Sequence, residues 1–167
     1  MTRSLRLLAV DALLAALLVL AVGCDTTSDL ADTPPNVAGL SGSVSPDAVG
    51  LVNSRLDAAL ADAEPVTVVA TVRHAENAAS AGLDLPPTRV VLFGNPALGT
   101  PLMDAQRTVA IDLPQKMLVY TDADGETAVL YNDPAYLARR HGITQQDETL
   151  ATISEALAGL AAAAAGA

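Results

Sequence analysis

The chain has 167 residues, with 9 Lys and Arg against 19 Asp and Glu, a formal net charge of −10, and a single cysteine. That length fits one domain, and the acidic balance repels phosphate backbones, which excludes nucleic acid as a partner. One cysteine excludes an intramolecular disulfide framework and a thiolate-rich metal site.

At the N-terminus, Arg3 and Arg6 precede an apolar run from Ala12 to Gly23 that ends at Cys24. The run is too short for a membrane span, which needs about 20 apolar residues. It has the charged first part and apolar second part of a signal peptide, so residues 1–23 are expected to be a lipoprotein signal peptide. Its end, "LAVGC", resembles a bacterial lipobox, although Ala21 stands where Leu is more usual. The resemblance implies a diacylated Cys24 as the new N-terminus and the membrane as a partner through that lipid. The chain would then sit on the extracytoplasmic side of the cell membrane. Residues 24–45, rich in Asp, Thr, Ser, Pro and Gly without apolar period, read as a flexible tether with a reach of roughly 25 Å.

The folded part is expected over residues 46–160. Ser45, Pro46 and Asp47 predict a helix start, and Val49, Val52, Leu56 and Leu60 form one stripe of a helix reaching about Asp62. "VTVVATVRH" is β-branched and partly alternating and predicts a strand. "AENAASAG" reads as a short turn of helix ending at Gly82, and "TRVVLFG" as a second, more apolar strand. In "GNPALGTPLM", Gly and Pro recur five residues apart, which predicts a compact loop with backbone N–H groups free to face a ligand. "QKMLVYTDADGETAVLYND" predicts two antiparallel strands turning at Asp124-Gly125. Asp133 and Pro134 open a short helix that Gly142 closes. Thr144 and Asp147 suggest a capping-box-like start to a last helix with Leu150, Ile153, Leu157 and Leu160 on one face. Residues 161–167, an Ala-rich tail, are expected to fray. The pattern predicts an α+β fold: an antiparallel sheet of about four to five strands with two longer helices packed on one face.

"PPTRVVLFGNPALGTPLM" followed by "AIDLPQKMLVYTDADGETAVLYNDPAYLARRHG" resembles the family called domain of unknown function 302, from about Asp47 to Leu160. The Phe-Gly-Asn-Pro, Gly-Thr-Pro-Leu-Met, Asp-Leu-Pro, Tyr-x-Asp-Pro and Arg-His-Gly elements carry the likeness. It implies a small α+β domain with a helix-flanked antiparallel sheet, often self-associating, so that a homodimer is a possible assembly, and no established activity. Two features depart from the pattern. Arg73-His74 stands where the family commonly has Asp-His, and only "LSGSV" supplies the strand that usually precedes the first helix.

Five residues are candidate ligand contacts: His74, Asn95, Thr100, Asp112 and His141. His74 and His141 are the only two histidines, too far apart for a local metal motif, and each also has a structural reading. His74 can make a strand-end hydrogen bond, and His141 suits the C-terminal end of a helix dipole. Asp112 can serve as a base or accept bonds in a turn before Pro114. Met103 reads as core filler, or as a thioether ligand beside a histidine. No G-x-S-x-G, phosphate-binding loop or haem attachment motif occurs. The expected function is a non-catalytic, lipid-anchored envelope module that binds a small ligand or a protein. The alternative is a metal- or haem-associated redox accessory, or an enzyme using His74 and Asp112. The sequence names no cofactor.

Overall fold

In a computed structural model, the structure describes residues 37–167. The signal-peptide segment, Cys24 and the tether up to residue 36 lie outside the described residues. Five strands, β1 (Leu40–Ser45), β2 (Thr67–Arg73), β3 (Thr88–Gly94), β4 (Gln115–Thr121) and β5 (Thr127–Asn132), form one sheet. Their order is β1-β5-β4-β3-β2, and every pairing is antiparallel. The helices are α1 (Val49–Asp62), α2 (His74–Ser80), α3 (Pro96–Ala105), α4 (Pro134–His141) and α5 (Asp147–Ala165), with a short 3-10 turn over Arg107–Ile111.

Alternation along the strands puts Val91, Phe93, Met117, Val119, Val129 and Tyr131 on one sheet face. Onto that face α1 lays Val52, Leu56 and Leu60, and α5 lays Ile153, Leu157 and Leu160. These stripes recur at helical spacing, so each long helix buries one side and leaves the other in water. The apolar core is thus closed among residues 37–167. The β4–β5 hairpin turns as expected. Asp122 Oδ1 accepts from the Asp124 and Glu126 N–H groups, and Gly125 takes the φ of +89° that a residue with a Cβ disfavours.

The expected arrangement of two longer helices on one face is corrected to five helices around the sheet. The two long ones, α1 and α5, advertise themselves by their stripes; of the shorter three, α3 and α4 carry side-chain caps from Asn95 and Asp133, and α2 has none. The largest difference is α3, which occupies the segment expected to be a loop. Asn95 Oδ1 accepts from the Ala97 N–H at 2.9 Å, and Pro96 fills the first helical position, where a missing N–H costs nothing. The N–H groups expected to be free are therefore largely committed to the helix.

The two ends of the fold also differ from expectation. Ser45 does not cap α1: it ends β1, and its hydroxyl donates to the Ala165 carbonyl at 2.7 Å. Residues 40–45, assigned above to the tether, are an edge strand paired along its length with β5. That strand is faint in the sequence because Gly42 is required in it. A Cβ there would run into the Val129 carbonyl oxygen and come within 2.9 Å of the Leu130 Cα. Helix α5 starts at Asp147 after Gln146 and has no side-chain cap. Its Ala-rich end is not frayed, since Ala161, Ala164 and Ala165 are buried; methyl side chains let this end lie close against β1 and α1.

Candidate functional site

A pocket of about 540 Å³ lies at one end of the sheet. Phe93 and Gly94 of β3 and Gln115 of β4 form its floor, and Val66, Thr67 and Val69 one side. Leu98, Gly99, Thr100 and Met103 of α3 form a second wall, and Ile153, Ala156, Leu157 and Leu160 of α5 a third. Ala110, Leu113 and Pro114, between the 3-10 turn and β4, complete it. Among the described residues no charged side chain lines it. A mostly apolar concavity of this size with a few placed polar groups has the form of a small-molecule site.

Gln115 is the exceptional member. It lies in register with Met117 and Val119, so its side chain faces the interior, and the residue is 9% exposed. Its Oε1 is buried and has no hydrogen-bond partner among the described residues. An unpaired buried carbonyl costs about 1–3 kcal/mol of desolvation, and this oxygen is closed off by protein on every side.

Of the five candidate residues, Asn95 and Thr100 line this pocket. Asp112 and His141 do not, but they meet each other just behind its wall. His141 Nε2 lies 2.6 Å from Asp112 Oδ2, and His141 Nδ1 lies 3.0 Å from Thr108 Oγ1. An ionised carboxylate only accepts, so with neutral imidazole the Nε2–H donates to Asp112 and Nδ1 accepts the Thr108 hydroxyl proton. Arg140 also reaches Asp112, at 3.3 Å. Lys116 Nζ donates to the Asp112 and Pro114 carbonyls at 2.7 and 3.1 Å. Burial pushes the Lys116 ammonium below its ordinary range, with the Asp112 carboxylate pulling the other way. The cluster straps the pocket wall at residues 107–114 to α4.

His74 is elsewhere. It follows Arg73, which pairs with Arg89, whereas Asp112 precedes Gln115, which pairs with Phe93 at the opposite end of β3. Four residues of strand, roughly 13 Å, separate the two ends, and His74 is exposed at the first position of α2. An enzyme built on His74 with Asp112 therefore has no geometry, and the two histidines do not converge as ligands. Met103 lines a pocket that contains neither of them. Among the described residues no cluster of three or more His, Cys, Asp or Glu side chains is placed to hold a metal.

Gln115 and Thr108 are the members that sequence reading missed. A polar residue in step with the apolar positions of a strand was the available signal for Gln115; nothing local marks Thr108. The strap gives a stability prediction. His141→Ala leaves Oδ2 of Asp112, a side chain only 13% exposed, without its imidazole partner while Arg140 still reaches Oδ1, and is expected to cost about 1–3 kcal/mol in urea unfolding. His74→Ala, at an exposed position, is expected to stay within about 0.5 kcal/mol. Equal effects would refute this assignment.

Fold and pocket define a small α+β domain with an apolar cavity at one end of its sheet. The family model described as "Domain of unknown function DUF302" matches residues 43–160, and the chain belongs to that family. A solved structure of a conserved DUF302 protein from Bacillus stearothermophilus has the same fold, with a TM-score of 0.67 and 21% identity over 77% of this chain and 99% of that one. Among curated proteins, the chain is similar to "Fluoride-specific ion channel FluC 1" of Brucella suis, 44% identical over 86 residues, which is 52% of this chain and 34% of that protein. The Brucella abortus protein of the same name is also 44% identical, over 32% of its length. The chain thus spans about a third of the length of these relatives.

Proposed function

We propose that this protein is a non-catalytic binding module of the cell envelope, lipid-anchored through Cys24 on the extracytoplasmic side, that holds a small apolar ligand between α3, α5 and the sheet end. The observation that carries the reading is the roughly 540 Å³ pocket lined mostly by apolar side chains. The chain spans about a third of the FluC relatives, so we take no channel activity from them. What their likeness supports is placement: a stretch like this one, carried on a membrane channel, works beside a membrane, where a lipidated Cys24 would also put this domain. A homodimer is compatible with the same picture. β2 is an edge strand with Val68 46% and Val69 64% exposed, the kind of edge on which another strand can add.

The neutral dye N-phenyl-1-naphthylamine tests the pocket on residues 25–167, which contain the whole described fold. Saturable fluorescence enhancement at one site per chain is expected. Ala156, exposed on α5, lines the pocket, so Ala156→Trp should fill the space and weaken binding about tenfold without lowering Tm. Absence of saturable binding, or equal binding by Ala156→Trp, overturns the reading.

A further inference from the structure

Resting on the membrane-side placement proposed above and not on what the pocket holds, we infer that one corner of the domain, the Arg107–Ile111 turn with the C-terminal end of α4, is a seat for an anionic lipid bilayer. Ile111 is the most exposed large apolar side chain among the described residues, at 75%. In a 3-10 turn residues three apart eclipse one another, so Ile111 lies on the side of Thr108, which touches His141 at the end of α4. The next residue, Asp112, pairs with Arg140, whose side chain stays half exposed. Cations collect around this apolar tip: of the 9 Lys and Arg in the chain, four, Arg107, Lys116, Arg139 and Arg140, are here. Arg55, Arg73 and Arg89 lie elsewhere, and each pairs with a carboxylate. Arg107 and Arg139 have no carboxylate partner among the described residues, in a chain with 19 acidic residues. Such a corner matches a bilayer interface, where phosphates take the guanidinium forks and the apolar side chain enters the acyl boundary. A protein partner fits less well, because one projecting Ile beside Ala110 offers little area to bury. Carboxylates on the far side of the domain are screened from the contact over about 10 Å at 0.1 M salt.

The chain also enters the domain at this corner. The Gly39 carbonyl accepts from the Asp133 N–H at 2.9 Å, its backbone lies against the Tyr136 ring of α4, and Arg139 stands over that ring at 6.0 Å. A lipid on Cys24 therefore draws α4 toward the bilayer ahead of the rest of the domain.

Flotation of residues 25–167 with vesicles tests the seat without the anchor. At 0.1 M NaCl, binding is expected to vesicles of equal parts phosphatidylglycerol and phosphatidylcholine. It should be about tenfold weaker on pure phosphatidylcholine, and lost at 1 M NaCl, where screening shortens to about 3 Å. Ile111→Asn should weaken binding about tenfold and Arg107→Gln about fivefold, each with Tm unchanged because both side chains are exposed. Leu83, 67% exposed and at the other end of β3 from the turn, is the control: Leu83→Asn should bind like the parent. Equal binding to neutral vesicles, binding indifferent to Ile111 and Arg107, or a loss in Leu83→Asn as large as in Ile111→Asn overturns the seat. Absence of binding to both vesicles overturns it as well. The dye titration, run without vesicles, decides the pocket on its own, so the two readings fail separately.

Discussion

Cys24→Ser is expected to move the protein almost wholly from the membrane pellet to the soluble fraction after cell breakage. The "LAVGC" end of the N-terminal segment is what singles out that sulfur. Each buried methylene of an acyl chain adds about 0.8 kcal/mol to membrane affinity, and two chains together make an anchor that does not come off on washing, whereas one chain alone binds reversibly. A serine cannot carry the thioether-linked lipid, and the apolar run without it is too short to hold a bilayer. Carbonate-washed membranes and the high-speed supernatant, blotted side by side, give the answer. A wild-type protein found in the supernatant, or a Cys24→Ser variant that stays in the pellet, would sink the anchor.

Leu56→Ala is the substitution expected to damage the fold most. Leu56 is fully buried on the face of α1 that meets the sheet, and it belongs to the core shared with Met117, Val119 and Leu157. Truncation leaves a cavity that the surrounding strands cannot collapse into, because the sheet ladder fixes their spacing. The loss should be about 3 kcal/mol, within the 2–5 kcal/mol range of such changes, and Tm should fall by on the order of 10 °C. Leu51, on the same helix but 46% exposed, is the control: Leu51→Ala should stay within about 0.5 kcal/mol. A small loss at Leu56 would mean that α1 does not pack as described.

The periodic elements are legible because periodicity is a local signal that burial then enforces. Val52, Leu56 and Leu60, and Ile153, Leu157 and Leu160, repeat at helical spacing, and Asp124-Gly125 is itself the turn. Segment 95–105 carries two messages: Gly99 and Pro101 argue for a loop, Asn95-Pro96 for a capped helix start. The cap prevails. Pro101 removes a single ladder bond, to the Ala97 carbonyl, in a helix already fixed by its packing beside Phe93 and Leu157. The Ala-rich end misleads for the opposite reason, since nothing in Ala161–Ala165 says whether a partner lies alongside; only the closing of α5 on β1 decides that. In the site, Asn95 and Thr100 come to light through the Gly-Pro motif around them. The meeting of Asp112 with His141, 29 residues apart, is produced by the tertiary fold alone, and so is the lack of a partner for Gln115 Oε1 among the described residues.

The placement of β1 has a mechanical consequence. Under the anchor proposed above, a leash would join the domain at the β1 edge of the sheet, while Val66, Thr67 and Val69, beside the opposite β2 edge, line the pocket. Four strand spacings, roughly 19 Å, separate the two edge strands. A domain anchored in that way would keep its leash clear of the β2 wall of the pocket, and the ligand proposed above could enter or leave in any orientation.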